Sequence, residues 1–315
     1  MTNDINTGVL NLLEEIFHYG KDSNPRGTTT REVRLAEITI DPTRAVMEFP
    51  SRPFNWKYFA GELAWYLSGK TDITLLQKFS KFWNNLTDEE GKVNSNYGSL
   101  LLQDHPSMEP WMQGIWAHGS QKDRFPNQLE WVYCSLVKDK HTRQAVAFLN
   151  SPFFQYEGNK DFVCTMYLNF WIDDDCLDMK VQMRSNDVFF GLTYDALWFS
   201  LVHQSMYLNL KKIYPSLKLG LYHHCADNIH YYDRHFTLVE NLLKEKIEIS
   251  PEFKIDIPLF IFDESELQYT VESARFMKHV IDKTEDESFS SMTQEDWKNL
   301  IVDFFVKTSV TSTSI

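Results

Sequence analysis

The 315-residue sequence is poor in cysteine and in basic residues, and each shortage argues against a class of protein. Its four cysteines show no C-x-x-C spacing and follow no signal peptide, which indicates reduced thiols in a cytoplasmic protein; they are Cys134, Cys164, Cys176 and Cys225. Lys and Arg number 31 against 44 Asp and Glu, a net charge of −13. A surface this acidic repels nucleic acid, so we expect any bound phosphate to be small and held in a local basic pocket.

Long apolar runs, repeats and linkers are also missing from the sequence. No run approaches the ~20 apolar residues that span a bilayer, so we expect no membrane segment. The ten histidines show no helical His-x-x-x-His spacing among carboxylates, so we expect no metal. A hydrophobic content of 43% and an aromatic content of 15% suit one large core with flat-walled pockets. We therefore predict a single domain over residues 1–315.

Apolar periodicity and capping residues predict interleaved helices and strands. The predicted helices cover residues 5–19, 56–68, 73–83, 126–138, 187–213, 236–246 and 293–305. The predicted strands cover residues 32–49, 144–149, 162–172, 177–184 and 217–221, with a corner at 225–235 and irregular chain at 99–124. The helix at 187–213 is long and mostly apolar, which predicts that it is central and buried. The fold class is α+β, with a mixed or antiparallel sheet.

The most informative segment runs from Met183 to Asp195, with the sequence MRSNDVFFGLTYD. It places an arginine, two small polar residues, an acid and a helix-opening glycine in one strand-to-helix corner. That combination suits the joint binding of a phosphate and a polar planar ring.

This segment resembles the signature of the thymidylate synthase family, in which Arg-Ser-x-Asp is followed by Leu-Gly-x-x-x-Asn. Asp195 stands where the family amide would be. In that family the exchange separates enzymes acting on cytosine from those acting on uracil, and the resemblance is strongest to phage-type deoxycytidylate hydroxymethylases. The similarity covers about residues 20–245, which leaves an extension of about residues 246–315. It implies a thymidylate synthase-like fold and a homodimer in which each site is completed by the partner chain.

Cys164 lies in a strand-like run, where an unpaired cysteine is most often a small buried hydrophobe. The resemblance implies instead that it is the nucleophile, because it stands twenty residues before Arg184 as in the family. Val163-Cys164-Thr165 replaces the family's Pro-Cys-His, and the phage cytosine-specific branch also has Cys-Thr. We expect a nearby arginine to lower the pKa of the thiol.

Glu62 falls at helical spacing beside Phe59, Leu63 and Tyr66, where an unpaired charge is costly to bury. The alternative is an edge residue whose carboxylate reaches solvent. The run Glu-Leu-x-Trp-x-Leu-x-Gly resembles the family segment that carries the general acid/base glutamate. Partial burial would raise the pKa of Glu62 toward neutrality. Tyr97 matches a family tyrosine near the reacting ring.

The resemblance also implies sites for the phosphate, the sugar and the folate. Arg184, with Ser185 and Asn186, matches the substrate-binding motif, while Arg26 matches a mobile loop. Arg143 resembles a residue that reaches across the dimer interface, although Gln144 replaces the family's second arginine. His230 and Tyr232 match the pair that holds the sugar hydroxyl. The folate positions are Asp187, Gly191 and Trp83, and Trp83 suits the core nearly as well.

Asp195 bears on the choice of base. A carboxyl can accept a hydrogen bond from the exocyclic amine of cytosine and, when protonated, can donate to ring nitrogen 3. A carboxylate facing the carbon-4 oxygen of uracil would be repulsive. Without the resemblance, an Asp in a first helical turn would be explained by the helix dipole alone.

The resemblance implies a dCMP 5-hydroxymethylase that uses 5,10-methylenetetrahydrofolate. Three alternatives stay open: a thymidylate synthase or dUMP hydroxymethylase, a CMP hydroxymethylase, and a non-catalytic nucleotide-binding protein on the same fold. Asp195 and Thr165 disfavour thymidylate synthase. The presence of both Cys164 and Glu62 argues against a protein that only binds nucleotides, since binding alone needs neither.

Overall fold

A computed structural model describes residues 3–103 and 127–307. Its helices are α1 (Ile5–Tyr19), α2 (Trp56–Ser68), α3 (Tyr97–Leu102), α4 (Gln128–Lys138), α5 (Thr193–Leu210), α6 (Phe236–Leu242), α7 (Val271–Lys283) and α8 (Gln294–Phe305). Its strands are β1 (Lys21–Ser23), β2 (Thr30–Ile40), β3 (Val146–Phe148), β4 (Thr165–Asp173), β5 (Cys176–Met183), β6 (Asn186–Asp187), β7 (Lys218–Tyr232), β8 (Phe260–Asp263) and β9 (Glu266–Tyr269).

The main sheet is mixed, as predicted, with strand order β1-β2-β7-β5-β4-β3. Strand β7 pairs antiparallel with β2 but parallel with β5 and with the short strand β6. The other neighbours pair antiparallel. The ends of β5, β6 and β7 are therefore adjacent, and the Met183–Asp195 segment leaves the sheet at this point.

Helix α5 is buried along nearly its whole length, which confirms the predicted central helix. Its residues are apolar around most of the circumference, as expected for a helix packed on several sides. The predicted range of 187–213 was too long. A π-helical turn, Val188–Leu192, precedes α5, and the α-helix ends at Leu210. That turn connects the end of β6 to the first turn of α5.

Helix α2 begins and ends where its capping residues predicted. The side chain of Asn55 accepts from the backbone N–H of Tyr58 at 3.0 Å, and Gly69 takes a left-handed conformation with φ of 61°. An L-residue would be strained there, which explains the glycine. This local signal fixes the position of Glu62 within the helix.

Several predicted elements were wrong in extent or kind. Residues 73–83 form two short 3₁₀ turns, Leu76–Lys78 and Lys81–Asn85, instead of one helix. The strand predicted at 32–49 is β2, which ends at Ile40.

The predicted corner at 225–235 is mostly strand, because residues 225–232 pair with β2 from Glu37 back to Thr30. Non-local pairing here outweighs a polar sequence that reads locally as a turn.

Other elements were not predicted. Helix α3 lies where a loop and irregular chain were expected, and the remainder of the 99–124 stretch lies almost entirely outside the described residues. The hairpin β8–β9 and helix α7 were also missed. Helices α7 and α8 pack against α2 and bury Phe276 and Trp297 in the same core as α5. The single domain over residues 1–315 stays a prediction. Among the described helices, none combines the length and apolarity needed to cross a membrane.

Candidate active site

Cys164 lies directly before β4 and is held against Arg184, which directly follows β5. The backbone N–H of Arg184 donates to the carbonyl of Cys164 at 2.9 Å, and the guanidinium Nη2 lies 3.4 Å from Sγ. The guanidinium also donates from Nε to the carbonyl of Val163 at 3.1 Å and lies over the ring of Phe162. The structure therefore joins the predicted nucleophile and the best-matched phosphate residue in one cluster. All four cysteines are unpaired, as predicted.

The thiol is not activated by this arginine alone. Burial raises the pKa of Cys164 to about 11, and the charges of Asp195 and Asp161 act in the same direction. Arg184 and Arg26 oppose the rise without cancelling it. The nearby Arg184 lowers the thiol pKa as predicted, but the pKa of Cys164 is raised overall, because the loss of solvation outweighs the effect of the cation.

Glu62 is buried in α2 and takes part in a chain of hydrogen bonds. The hydroxyl of Tyr58, one turn earlier, donates to Glu62 Oε1 at 2.7 Å, and Trp83 Nε1 donates to the Tyr58 hydroxyl at 3.0 Å. Burial raises the pKa of Glu62 to about 8, while the bonds from Tyr58 and Tyr66 oppose the rise. The predicted direction of the shift is confirmed, and the carboxyl is protonated near neutral pH.

Asp195 lies in the first turn of α5 and is 9% exposed. Its Oδ2 accepts from Asn186 Nδ2 at 2.7 Å. Burial raises the pKa of Asp195 to about 7 against the effect of that bond. The charge of Asp195 raises the pKa of both Glu62 and Cys164, so the three groups are close enough to affect one another's ionisation.

Tyr97, at the start of α3, is buried beside the same groups. Its ring stacks on Phe199 and Tyr66, with centroids 5.4 and 5.5 Å away. Burial raises the pKa of Tyr97, and the charges of Asp195 and Cys164 raise it further. The four predicted catalytic residues, Cys164, Glu62, Asp195 and Tyr97, are thus gathered from four separate parts of the chain.

Ser185 directly precedes β6, and His230 and Tyr232 lie near the end of β7. The Ser185 hydroxyl donates to Asn228 Oδ1 at 3.5 Å, and His230 Nδ1 lies 2.9 Å from the same oxygen. Burial lowers the pKa of His230, which favours a neutral ring. Asn228 joins two predicted substrate residues and was missed, although it stands two residues before His230.

Arg26 and Arg143 are both exposed, in contrast to Arg184. Arg26 lies in the turn Pro25–Gly27 with φ of 54°. Although its side chain is exposed, its charge lowers the pKa of Cys164 and of Tyr232. Arg143 lies between α4 and β3 and lines a surface cleft with Lys138 and His141. Within the described part of the chain, it makes no hydrogen bond or ion pair to the other phosphate candidates. One chain therefore brings Arg26 and Arg184, but not Arg143, to the cysteine.

The folate candidates lie in two places. Asp187 and Gly191 lie at the π-helical turn, and Trp83 donates a hydrogen bond to the hydroxyl of Tyr58. Asp187 Oδ1 accepts from the backbone N–H of Phe189 at 2.7 Å, whereas its buried Oδ2 has no hydrogen-bond partner among the described residues. Burial raises the pKa of Asp187 to about 6. Trp83 is 8% exposed and packs on Trp65, which places most of its ring in the core.

Sequence reasoning missed the residues that support these groups. Tyr58 and Tyr66 flank Glu62 at intervals of four residues, and helical spacing alone could have identified them. Arg52 donates to the carbonyl of Phe189 and lies 5.4 Å from its ring, a contact with no local signal. Among residues 3–103 and 127–307, no group of three or more His, Cys, Asp and Glu is arranged to hold a metal.

Comparison with known proteins agrees with this geometry. The profile of the thymidylate synthase family matches residues 8–273, further at both ends than the sequence motifs indicated. The chain belongs to the thymidylate synthase family. It therefore has the thymidylate synthase fold, and it belongs with the transferases of that family.

Curated relatives of the chain include phage hydroxymethyltransferases. The chain is 28% identical over 229 residues to deoxyuridylate hydroxymethyltransferase of Bacillus phage SP01, covering 71% of this chain and 56% of that protein. It is also 28% identical over 197 residues to deoxycytidylate 5-hydroxymethyltransferase of Enterobacteria phage T6 and to that of phage T4, covering 60% of this chain and 72% of each. The chain thus spans only about half the length of the SP01 protein. Because the named substrates differ at equal identity, similarity alone does not select the base.

Proposed function

We propose that the protein is a deoxycytidylate 5-hydroxymethylase, which converts dCMP, 5,10-methylenetetrahydrofolate and water into 5-hydroxymethyl-dCMP and tetrahydrofolate. The observation that carries the proposal is the buried carboxyl of Asp195 beside Cys164, its charge close enough to raise the pKa of the thiol. A carboxyl in a buried site must match the ligand edge that it meets, because an unpaired or repelled polar group is costly there.

Cytosine matches Asp195 in either protonation state. The ionised carboxyl accepts from the exocyclic amine, and the protonated carboxyl can also donate to ring nitrogen 3. With a pKa of about 7, both states are accessible near neutral pH. When Asp195 is ionised, the carbon-4 oxygen of uracil would instead face a carboxylate oxygen, with no donor between them, so that uracil does not match this form of the side chain. This mismatch supports the choice of cytosine over uracil.

Cys164 is the proposed nucleophile toward carbon 6 of the ring. Because burial raises its pKa to about 11, we propose that the thiol releases its proton to water as the carbon–sulfur bond forms and takes a proton back when the sulfur leaves carbon 6. Attack gives carbon 5 nucleophilic character, and a proton from Asp195 at ring nitrogen 3 would stabilise the charge that develops. Arg184 fixes the segment before the sulfur through its bonds to Phe162 and Val163.

Glu62 is the proposed proton carrier and the group that positions water. With a pKa of about 8, it is protonated at rest and can both donate and accept in one cycle. The hydroxyl of Tyr58 donates to Oε1, and Tyr66 also forms a hydrogen bond to the carboxyl, so both tyrosines would orient it toward the reacting proton or the water. Addition of that water yields the hydroxymethyl group, whereas a thymidylate synthase excludes it and delivers hydride.

The residues present fit a folate. Asp187 Oδ2 is buried and has no hydrogen-bond partner within residues 3–103 and 127–307, so it calls for a donor, and the ring of Phe190 is 54% exposed beside it. When bound, 5,10-methylenetetrahydrofolate supplies the one-carbon unit. We propose that Asp187, Gly191 and the exposed edge of Trp83 hold it.

The phosphate and sugar complete the proposed substrate. Arg184 and Arg26 would bind the phosphate dianion, with Ser185 beside them, and His230 and Tyr232 would hold the sugar hydroxyl. We further propose a homodimer in which Arg143 of each chain reaches the phosphate in the partner's site. The compartment proposed is the cytoplasm.

A dUMP hydroxymethylase is the second candidate, because the SP01 relative carries that name at the same identity. The deciding experiment incubates purified protein with methylenetetrahydrofolate and dCMP, CMP or dUMP in turn. Mass spectrometry then separates hydroxymethyl from methyl products by one oxygen atom. We expect hydroxymethyl-dCMP as the main product. Preferred turnover of dUMP or CMP would reassign the substrate, and binding without turnover would contradict an enzymatic function.

A further inference from the structure

Asn186 is the one hydrogen-bond donor to Asp195 among the described residues. It is 4% exposed in β6, and its Nδ2 donates to Asp195 Oδ2 at 2.7 Å. The other amide atom, Asn186 Oδ1, is buried and has no hydrogen-bond partner in the described part of the chain. Since buried polar atoms are nearly always paired, this acceptor calls for a donor supplied by a ligand.

Gly191 provides the space in which this amide lies. A Cβ atom at position 191 would lie 3.1 Å from both Nδ2 and Oδ1 of Asn186, closer than most real contacts. Gly191 is not among the glycines of positive φ, so space, not backbone conformation, accounts for the glycine. The π-helical turn thus holds the Asn186 amide against Asp195.

Building on the proposed function, we propose that Asn186 is a second specificity-determining residue, which reads the cytosine edge together with Asp195. Its N–H occupies Asp195 Oδ2, so that Oδ1 is the oxygen left for the base. Its own Oδ1, which has no partner in the part of the chain that the structure describes, accepts from a donor such as the exocyclic amine of cytosine. The carbon-4 oxygen of uracil offers no donor and would leave Asn186 Oδ1 unpaired.

The charge of Asp195 raises the pKa of five nearby groups, none of which forms a hydrogen bond to it among the described residues. They are Glu62 and Tyr66 on α2, Tyr97 on α3, Cys164 before β4 and Tyr222 on β7. Only the bond from Asn186 lowers the pKa of Asp195 against burial. Loss of that bond must therefore raise the pKa, and cytosine turnover that uses protonated Asp195 would persist to higher pH.

The test compares Asn186→Ala and the nearly isosteric Asn186→Asp with Asn209→Ala. Asn209 is also a buried amide and donates to the carbonyls of Ser205 and Phe260, but it lies 14 residues beyond Asp195 on α5. Thermal melting establishes folding, and kcat/KM is measured for dCMP and dUMP across pH. In Asn186→Ala we expect the dCMP-to-dUMP ratio to fall about tenfold and the alkaline midpoint for dCMP to rise by about one pH unit.

Asn186→Asp should move the midpoint further, because a second carboxyl beside Asp195 disfavours its ionisation. Asn209→Ala should lower the melting temperature and change neither readout. A folded Asn186→Ala protein with both readouts unchanged would overturn the inference, and Asn186→Asp decides the same point if the alanine variant does not fold. The proposed function fails separately: it fails if the wild-type protein itself prefers dUMP, whatever the variants do.

Discussion

The base side and the phosphate side of the candidate site are built in different ways. On the base side, Glu62 and Asp195 are buried, and each is held by a hydrogen bond from its own chain, from Tyr58 and Asn186 respectively. On the phosphate side, Arg26 and Arg143 are exposed, and only Arg184 is tied to the backbone around Cys164.

Solvation explains this contrast. A buried carboxyl loses its water and must be paired by the protein before any ligand arrives, whereas an exposed guanidinium stays hydrated until a phosphate replaces the water. The base side is therefore ordered within one chain. The phosphate side is left to be ordered by the ligand and, as we propose, by the partner chain.

The largest expected effect on turnover comes from replacing Cys164, which lies at the boundary between the base side and the phosphate side. Cys164→Ser should reduce turnover below detection, because an alcohol is a far weaker nucleophile than a thiolate at this position. Folding and nucleotide binding should persist. Cys176→Ser, at the start of β5, is the matched control and should retain activity. Near-normal product formation by Cys164→Ser would remove the central role of this cysteine.

Mixing of inactive chains tests whether the phosphate side needs a partner. Arg143→Ala and Cys164→Ser proteins should each be inactive alone. After dissociation and reassociation, half of the dimers would be mixed and each would contain one complete site, so activity should recover to about a quarter of wild type. Analytical ultracentrifugation provides the control for dimer formation. No recovery from mixed dimers would show that Arg143 does not act across an interface.

Burial of the Glu62 carboxyl should make the free energy of unfolding depend on pH. Burial raises its pKa from 4.5 to about 8, so the folded chain binds this proton more tightly than the unfolded chain, and stability is lost as pH rises through that interval. Glu62→Gln cannot ionise. Relative to wild type, its free energy of unfolding should gain about 4 kcal/mol between pH 5 and pH 9, and the variant should lose most hydroxymethyl product. An equal stability difference at both pH values would contradict the buried, titrating carboxyl.

A smaller effect is expected from Tyr58→Phe. Removing the hydroxyl deletes a hydrogen bond that lowers the pKa of Glu62, so that pKa should rise by about one unit. The pH profile of dCMP turnover should shift upward accordingly, with only a several-fold loss at the optimum. Tyr214→Phe, which removes a bond to the carbonyl of Leu136, is the control. If both variants keep the wild-type profile, Tyr58 does not tune Glu62.

Local signals predicted helix α2 well, because Asn55, the apolar spacing and Gly69 act within the helix itself. Strand β7 was predicted poorly beyond Leu221, since its later residues are held by β2, nearly two hundred positions away in the chain. The same limit applies to the site. Motifs identified Cys164 and Asp195, but the direction of the thiol pKa depends on burial, which no motif near Cys164 records.

The supporting residues show a similar division. Tyr58 could have been found from its position one helical turn before Glu62. The pairing of Asn186 with Asp195 depends on the π-helical turn at Val188–Leu192, where an uninterrupted α-helix was predicted. Irregular backbone of this kind has no periodic signature, so its consequences were visible only in the structure.

The central claim is that Asp195 selects cytosine, and the ratio of kcat/KM for dCMP and dUMP in wild type and Asp195→Asn tests it most directly. The amide keeps the size of the side chain, matches uracil and cannot donate a carboxylic proton. We predict that wild type prefers dCMP and that the ratio in Asp195→Asn moves toward dUMP by about a hundredfold, mainly through loss of dCMP turnover. An unchanged ratio, or a wild-type preference for dUMP, would contradict the account.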